Sequence, residues 1–249
     1  MPCYNCEKQI GRVLQKIAKH ATMFKSILIV DNRSTDHTAQ RAMVEITRLK
    51  LDHATVIKNK ENYSLGGSHK VAFTYAKAGN FEHVITYHGD DQADITDLVP
   101  YLLDGSFKLH DCLLGARFHP SSRLVGYSRF RIFGNKVLNL ACSLACDSKV
   151  LDMGSGLNLY AKDFYTDRRI LSFPNDLTFN IYLVFHAYFN SATVRFFPIS
   201  WREEDQVSNA KVFRQMLHIL KLVLRTTVSK NLLYQNVNTM NYEFDTIKK

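Results

Sequence analysis

Short apolar runs alternate with helical segments through the first 90 residues, and this rhythm constrains the fold most. The runs are SILIV (26–30), ATVIK (54–58) and VITYH (84–88), each of strand length. Apolar residues at helical spacing lie before and between them. This alternation predicts an α/β fold with a doubly wound, mostly parallel sheet. The chain begins where the first strand of such a sheet would end, so we expect the first strand to be missing.

The second half is less regular but contains further predicted elements. Helices are expected at 129–145, 175–189 and 211–228, and strands at 113–117, 157–161 and 193–199. In the last helix Leu217, Leu220 and Leu224 can share one side, with basic residues elsewhere. This pattern predicts a basic amphipathic helix near the C-terminus.

The chain is basic, with 32 Lys and Arg against 23 Asp and Glu and a net charge of +9. Such a surplus predicts an anionic partner: nucleic acid, a phosphorylated substrate or an acidic membrane surface. The sequence has no helix-turn-helix, zinc-finger or aromatic RNA-binding motif, so we expect no nucleic acid. It has no signal-peptide pattern, and its longest uncharged run (177–194) is too polar for a bilayer span. Five cysteines, an odd number, favour reduced thiols in the cytoplasm.

Polar residues follow three of the predicted strand ends. Tyr4 and Glu7 lie in the first loop, Asp31 follows 26–30, and HGDDQAD (88–94) overlaps the end of 84–88. Ligands of open α/β sheets bind at the carboxyl ends of the strands. Helix capping explains Asp31 taken alone, but three such ends together indicate a ligand site, because unpaired carboxylates are costly to bury.

These motifs resemble a known family. PCYNCEKQI, IVDNRSTDHT, NYSLGGSHKVAF and HGDDQAD match, in order and spacing, family 2 glycosyltransferases of the GT-A type. The resemblance is closest to the branch of dolichol-phosphate mannosyltransferase. It continues through DMGSG (152–156), NDLTFN (175–180) and SWREEDQVS (200–208), and so covers about residues 1–215. It implies a Rossmann-like GT-A fold and a hexosyltransferase that uses a UDP- or GDP-sugar.

The resemblance also implies a division of the chain. We expect a GT-A domain over residues 1–209, with a nucleotide-binding half (1–105) and an acceptor half (106–209). Residues 210–249 are expected to form the basic amphipathic helix and a tail.

Several residues match the donor-binding positions of the family. Pro2, Tyr4 and Glu7 match the loop around the base and ribose, and Asp31 matches the acid that hydrogen-bonds the base. Asp152 lies in a stretch that resembles the loop near the sugar. There it is expected to bind a donor-sugar hydroxyl, with a turn carboxylate that caps a backbone amide as the alternative.

The segment NYSLGGS resembles the glycine-rich loop of the family. Gly66 and Gly67 precede a predicted helix, whose N-terminus favours an anion approaching close to the backbone. A tight turn without a ligand explains the two glycines equally well.

Asp90 matches the second acid of the DxD-like metal motif, and His88 replaces the first. A sugar nucleotide leaves as a diphosphate, whose charge a divalent cation neutralises. We therefore expect Asp90 to hold Mg²⁺ or Mn²⁺, with Asp91 or His88 assisting. Ligation by His88 would favour Mn²⁺, but a hydrogen-bonded histidine at a strand end is the favoured interpretation.

Arginines and one further acid complete the predicted site. Four arginines are candidate diphosphate clamps, because a guanidinium pairs with phosphate through two hydrogen bonds: Arg117, Arg129, Arg131 and Arg202. For Arg129 and Arg131, contact with anionic lipid or solvent is the alternative. Arg202, which we expect to act in catalysis, is the first choice. Asp176 matches the catalytic acid of many family members and is expected to take the proton of an acceptor hydroxyl. Its alternative role is to cap a helix.

The leading hypothesis is an inverting, metal-dependent glycosyltransferase that moves a sugar to a hydroxyl of a lipid-linked or cell-envelope glycan during polysaccharide biosynthesis. One alternative acceptor is polyprenyl phosphate, which is already an anion and needs no base. A further alternative is a nucleotide-sugar or membrane-binding module without catalysis. The basic helix either packs across the sheet or lies on an anionic membrane surface. We expect a cytoplasmic protein, peripheral on the inner face of the cell membrane.

Overall fold

The computed structural model describes residues 1–204, 212–235 and 240–248, and it leaves the side chains of 212–218 and 248 undescribed. The end of the 200–208 motif, from residue 205, therefore lies outside the described residues. The strands in these ranges are β1 (Pro2–Cys3), β2 (Ile27–Asp31), β3 (Ala54–Asn59), β4 (His83–Tyr87), β5 (Cys112–Ala116), β6 (Arg123–Val125), β7 (Leu157–Ala161), β8 (Val194–Pro198), β9 (Ser200–Arg202) and β10 (Phe244–Lys248). The α-helices are α1 (Glu7–Ala18), α2 (Thr38–Arg48), α3 (Ser64–Ala78), α4 (Val99–Leu103), α5 (Arg129–Cys146), α6 (Lys162–Tyr165), α7 (Phe179–Phe189) and α8 (Val212–Val228).

The first sheet has the strand order β1-β2-β3-β10. Its first three strands are parallel, and β10 pairs antiparallel with β3. The first strand is not missing altogether, since β1 retains two residues, Pro2 opposite Val30 and Cys3 opposite Asp31. The segment predicted as a tail contributes β10, which forms the edge of this sheet beside β3.

The second sheet has the order β4-β7-β5-β8, and β6 pairs with β9 in a separate two-stranded sheet. Here β7 runs antiparallel to both β4 and β5, while β5 and β8 are parallel. The backbone N–H of Gly89, just after β4, donates to the carbonyl of Pro2 in β1 at 3.0 Å. This bond joins the two sheets and brings the ends of β1 and β4 together. The α/β prediction is confirmed, with a mixed rather than a largely parallel second sheet.

The helices cover the sheets with apolar faces that the sequence pattern predicts. Along α1, Ile10, Val13, Leu14 and Ile17 are at most 5% exposed and lie in the same core cluster as Ile29 of β2. In contrast, α7 is apolar around most of its circumference and buries Phe179 and Phe185 completely, as expected for a helix enclosed by other elements. It starts at Phe179, later than the predicted 175, because residues 175–178 form a turn.

The predicted amphipathic helix is present as α8 and packs against α5. Its inner face buries Ile219, Leu222 and Val223, whereas Leu224 and Val228 are exposed. Within the part of the chain that the structure describes, no helix is both long and apolar enough to cross a bilayer.

Candidate active site

A cleft of about 1020 Å³ opens where the ends of β1 and β4 meet. It collects residues that are far apart in the sequence, from the first loop to the segment after β9. Eight predicted site residues line it: Pro2, Tyr4, Glu7, His88, Asp90, Arg117, Arg131 and Asp176. The other predicted residues lie outside its lining: Asp31, Gly66, Gly67, Asp91, Asp152 and Arg202.

The loop after β1 is held open towards the cleft by bonds to the loop after β2. The backbone N–H of Asn5 donates to Ser34 Oγ at 3.0 Å, and that of Glu7 donates to Asp36 Oδ2 at 3.1 Å. Tyr4, which precedes both residues, is 41% exposed although it lies at the cleft. An exposed aromatic ring held at a cleft wall is suited to stacking on a flat ligand such as a nucleotide base.

The structure corrects the prediction for Asp31. Its side chain is fully buried, where Oδ1 accepts the backbone N–H of Ser34 at 3.1 Å and Oδ2 lies 3.6 Å from Lys58 Nζ. Asn32, the next residue, lines the cleft instead. Its Oδ1 accepts hydrogen bonds from Asn59 Nδ2 (3.0 Å) and from the Tyr63 N–H (2.8 Å), so its orientation is fixed. The alternation of side chains at a strand end is the sequence signal that would have favoured Asn32.

Asp90 carries the least compensated charge at the cleft floor. Burial, with a small contribution from the negative charge of Glu203, raises the pKa of its carboxyl to about 6. The backbone N–H of Gln92 donates to Oδ1 at 3.2 Å and opposes this effect. Asp90 and Glu203 both line the cleft. Because Glu203 is paired with Arg131, Asp90 is the carboxylate here that a divalent cation would stabilise.

The donor set around Asp90 fits a cation that is held mainly by a ligand. Among the described residues, no group of three or more His, Cys, Asp or Glu is arranged to hold a metal ion. Mg²⁺ is commonly bound by one or two carboxylates together with substrate phosphates and water. Asp90 satisfies that requirement, so the residues present are compatible with the predicted cation.

Asp91 is not available as the assisting metal ligand that we predicted. It is completely buried, and its Oδ2 accepts from Arg12 Nε at 2.7 Å while Oδ1 lies 3.0 Å from Lys16 Nζ. Arg202 forms a third ion pair with the same carboxylate and donates from Nε to the Asp91 carbonyl at 2.9 Å. Asp91 is therefore the buried centre of an ion-pair cluster that anchors the loop after β4.

Arg202 lies outside the cleft lining and is paired with Asp91, so nothing described supports the predicted diphosphate clamp, which stays a prediction. Side chains alternate along β9, so Trp201 lines the cleft, as does Glu203 just after the strand, while Arg202 points the other way, towards Asp91. A guanidinium that is already paired with a buried carboxylate has little capacity left for phosphate.

Arg117 and Asp152, predicted to bind diphosphate and sugar, bind each other instead. Arg117 donates from Nε to Oδ2 and from Nη2 to Oδ1 of Asp152, both at 2.8 Å. Asp152 is 2% exposed, and its Oδ1 accepts the Gly154 N–H at 3.1 Å, which agrees with the alternative of a turn carboxylate that caps a backbone amide. Arg117 lines the cleft, but its charge is neutralised by Asp152, which raises its pKa. Arg131 likewise pairs with Glu203 Oε2 at 2.5 Å, within the cleft.

His88 has the hydrogen-bonded environment that we favoured over metal ligation. Its Nε2 lies 3.2 Å from Nε2 of His69, a completely buried residue of α3. Burial lowers the pKa of both rings, that of His88 to about 4, so both are neutral at pH 7. One ring nitrogen of His88 is thus occupied by a protein partner.

Gly66 and Gly67 allow α3 to pack closely rather than to bind phosphate. A Cβ on Gly66 would lie 2.6 Å from Phe179 Cβ and 2.8 Å from the Pro174 carbonyl oxygen. The Gly66 N–H donates to the Asn175 carbonyl at 2.7 Å. The interpretation of a turn without a ligand is closer to this finding, since the two glycines lie within the first turn of α3. They let α3 hold the segment that carries Asp176.

Asp176 lines the cleft and accepts two hydrogen bonds from Thr178, the residue just before α7. Its Oδ1 accepts from the Thr178 N–H at 2.8 Å and from the Thr178 hydroxyl at 2.5 Å. The second oxygen, Oδ2, takes no part in these two bonds. These bonds orient the carboxylate without using its other oxygen. Thr178, not Asp176, is the N-cap residue of α7, so the predicted capping role is wrong, whereas the role of base stays a prediction.

Sequence reasoning missed several residues that line the cleft. They are polar or aromatic residues that were assigned no role, although all except Tyr127 lie within the motifs: Asn32, Asn62, Ser68, Tyr127, Asn180, Trp201 and Glu203. Asn180 lies four residues after Asp176, a helical spacing that would have placed the two on the same side.

Comparison with known proteins places the chain in a family. Residues 1–168 match glycosyl transferase family 2. This chain belongs to that family. No curated protein matches it, and the finer resemblance to the dolichol-phosphate mannosyltransferase branch stays a prediction.

Solved structures show the same fold. The first 349 residues of S. aureus TarS, in complex with UDP-GlcNAc, are 20% identical, with a TM-score of 0.61; the match covers 92% of this chain and 65% of that one. Glucosyl-3-phosphoglycerate synthase (GpgS) from Mycobacterium tuberculosis, in complex with UDP, is 15% identical, with a TM-score of 0.65; the match covers 91% of this chain and 79% of that one. The GT-A fold predicted from the sequence is confirmed.

Proposed function

We propose that this protein is an inverting hexosyltransferase that moves a sugar from a UDP- or GDP-sugar to a hydroxyl group. The observation that carries the proposal is that Asp90 and Asp176 line one cleft in a chain of glycosyl transferase family 2. The first is suited to the diphosphate side of a donor, and the second to an acceptor. The TarS and GpgS structures with UDP-GlcNAc and UDP support a uridine diphosphate donor.

On the donor side, the loop after β1 supplies the contacts. Tyr4 offers an exposed ring for the base, and Asn32 is fixed at the same wall by Asn59 and Tyr63. Asp90, with Glu203 nearby, would hold a divalent cation, which when bound neutralises charge on the leaving diphosphate. A GpgS structure that contains Mn²⁺ and UDP-glucose supports this assignment.

On the acceptor side, Asp176 is proposed as the general base. Its Oδ1 is held by Thr178, so Oδ2 is presented in a fixed orientation to take the hydroxyl proton. This requirement favours a hydroxyl over a polyprenyl phosphate, which is already ionised. We propose a lipid-linked or cell-envelope glycan as the acceptor, at the inner face of the cell membrane. The two carboxylates in one cleft favour catalysis over the non-catalytic binding module.

The test begins with a screen of UDP- and GDP-sugars by nucleotide release, with and without Mn²⁺. The variant Asp176→Asn should then lower kcat by about 10²-fold or more while the KM for the donor stays the same, because only proton transfer is removed. Asp163→Asn is a matched control, since Asp163 is an exposed acid outside the cleft lining. Near-normal turnover of Asp176→Asn onto a polyprenyl phosphate would contradict the role of base.

A further inference from the structure

An exposed apolar stripe runs along α5. Its members are Phe130, Phe133, Val137, Leu140 and Leu144, which are 46–77% exposed. They are spaced by three and four residues alternately and therefore lie on one side of the helix. The opposite side of α5 buries Leu138 and Cys142 in the core. A contiguous apolar stripe on a surface marks an interaction site.

The neighbouring helix enlarges this surface. Leu220, Leu224 and Val228 of α8 are exposed at spacings of four residues, while Ile219 and Leu222 point inwards. Because α8 packs against α5, we call the exposed sides of these two helices together the α5–α8 face.

The charges of the α5–α8 face are all of one sign. Neither Arg129–Cys146 nor Val212–Val228 contains an Asp or Glu. Exposed cations accompany the apolar residues on both helices: Arg129 and Lys136 on α5, and Lys221 and Arg225 on α8. An apolar strip flanked by basic side chains is the composition that lies in a membrane interface.

We propose that the α5–α8 face docks on an anionic lipid bilayer. The apolar stripe would enter the interface, and the cations would meet lipid phosphates, which attract them electrostatically. A second copy of this chain is a poorer occupant, because a symmetric contact through this face would bring the two sets of cations together. The proposal assigns to two helices a role that the sequence pattern indicated for the last helix alone.

The α5–α8 face lies next to the candidate active site. Phe130 and Arg131 of α5 and Ile219 of α8 also line the cleft. The cleft therefore opens beside the docking surface, where an acceptor attached to lipid would be presented. This last point rests on the proposed function, whereas membrane docking itself does not.

The test is co-sedimentation with vesicles of phosphatidylglycerol and phosphatidylcholine, compared with phosphatidylcholine alone. We expect binding to the anionic vesicles and at least about tenfold weaker binding of the double variant Leu140→Ser, Leu144→Ser, which removes apolar contact. Neither residue lines the cleft. The double variant Leu103→Ser, Leu109→Ser is the matched control, since these leucines are 74% and 72% exposed on other elements.

Two results would overturn docking on lipid. One is equal vesicle binding by the wild type and the Leu140/Leu144 variant. The other is a dimer of the wild type, seen by light scattering, together with a monomer of the same variant. That result would show that the α5–α8 face binds a second copy of the chain. Vesicle binding is measured without a sugar-nucleotide donor, so neither result depends on whether the protein has the proposed transferase activity.

A separate observation concerns Asn180, in the first turn of α7. It is 5% exposed, its Oδ1 has no hydrogen-bond partner, and it lines the cleft beside Asp176. Leaving a buried amide oxygen unsatisfied is destabilising. A residue that costs stability at a cleft is explained if a ligand completes its bonds.

We further propose that Asn180 binds a hydroxyl group of the transferred sugar or of the acceptor. This inference rests on the proposed function and deepens it by adding a specificity-determining residue. The two sources of the hydroxyl are separated by kinetics, because the loss falls on the KM of the donor in one case and on that of the acceptor in the other.

The test is Asn180→Leu, which keeps the size of the side chain and removes its polarity. We expect Tm to rise by about 2–4 °C, because an unsatisfied polar group is removed. At the same time kcat/KM should fall about tenfold. Asn139→Leu is the matched control: Asn139 is buried, but its Nδ2 donates to the Leu151 carbonyl at 2.6 Å, so Tm should fall.

Either of two results would contradict the role of Asn180. An unchanged kcat/KM for both donor and acceptor would show that Asn180 does not contact a ligand. A fall of Tm like that of Asn139→Leu would show that the side chain is structural. If no donor is turned over by the wild type, the proposed function itself fails, and the Tm comparison still tests whether Asn180 is unsatisfied.

Discussion

Two neighbouring aspartates in the loop after β4 have opposite electrostatic environments. On the cleft side, Asp90 faces another acid, and burial raises its pKa to about 6. On the inner side, Asp91 is fully buried and paired with Arg12, Lys16 and Arg202. Adjacent residues of identical type thus have different roles, because charge compensation comes from elements distant in the sequence.

The same difference separates the two walls of the cleft. In the nucleotide-binding half, Tyr4, Glu7 and Asp90 reach the cleft as the motifs predict. In the acceptor half, the predicted arginines are neutralised by acids of the chain itself: Arg117 by Asp152 and Arg131 by Glu203. A free positive charge for a diphosphate is therefore less available than the net charge of +9 indicates.

The largest effect is expected at Asp90. Asp90→Asn should lower turnover about 10²–10³-fold, because a charge that stabilises the transition state is lost. Its thermal stability should stay the same or rise, since the ionised carboxylate is not compensated in the free protein. Kinetics together with Tm measured with and without Mn²⁺ tests this. Unchanged turnover of Asp90→Asn would show that Asp90 takes no part in the reaction.

The opposite result is expected at Asp91. Asp91→Asn should lower the free energy of unfolding by about 3 kcal/mol, because three cations lose a buried partner. Urea denaturation measures this loss, and Asp163→Asn is again the control. If Asp91→Asn keeps full stability but loses turnover, the distinction between the two aspartates is wrong.

A smaller effect is expected at Arg202. Arg202→Ala should lower the free energy of unfolding by about 1.5–3 kcal/mol, through its lost bonds to Asp91. The KM for the donor should change little, whereas a diphosphate clamp would raise it strongly. Steady-state kinetics under conditions where the variant is folded separates the two. A large rise in KM would restore the original prediction of a clamp.

The smallest expected effect is a loss of stability at low pH. Burial lowers the pKa of His186 to about 4, against 6.5 for a free imidazole. Below pH 6.5 the unfolded chain takes up a proton that the folded chain refuses, so stability is lost as the pH falls from 6.5 towards 4. We expect Tm to fall over this window, by less in His186→Phe than in the wild type. An equal fall in both proteins would exclude His186 as a source.

The strands and the strand-end loops were predictable because they depend on local pattern. Apolar runs gave β2, β3 and β4 nearly to the residue, and polar residues after them marked the cleft. The prediction was wrong where it depended on direction or on partners. Asp31 points inwards and Asn32 outwards, and Arg202 and Trp201 differ in the same way, since a shift of one residue along a strand reverses the face.

Gly66 and Gly67 show a second reason why the role of a residue could not be predicted from the sequence. Their spacing before a helix is compatible with phosphate binding, but it is equally compatible with close packing: Phe179 and Pro174, more than 100 residues away, approach Gly66, and Tyr63 approaches Gly67. Asn180 was missed because nothing in its own segment shows that a buried oxygen lacks a partner.

The sequence by itself determined the family, the α/β order and the presence of carboxylates at a cleft, because these follow from local periodicity and from the order of motifs. Only the tertiary structure decided which charges are free. Whether Asp90, Asp91 or Arg202 faces a ligand depends on which opposite charges lie within about 4 Å, and such partners come from remote segments. The same holds for the α5–α8 face, whose apolar residues are a surface only because no other described element covers them.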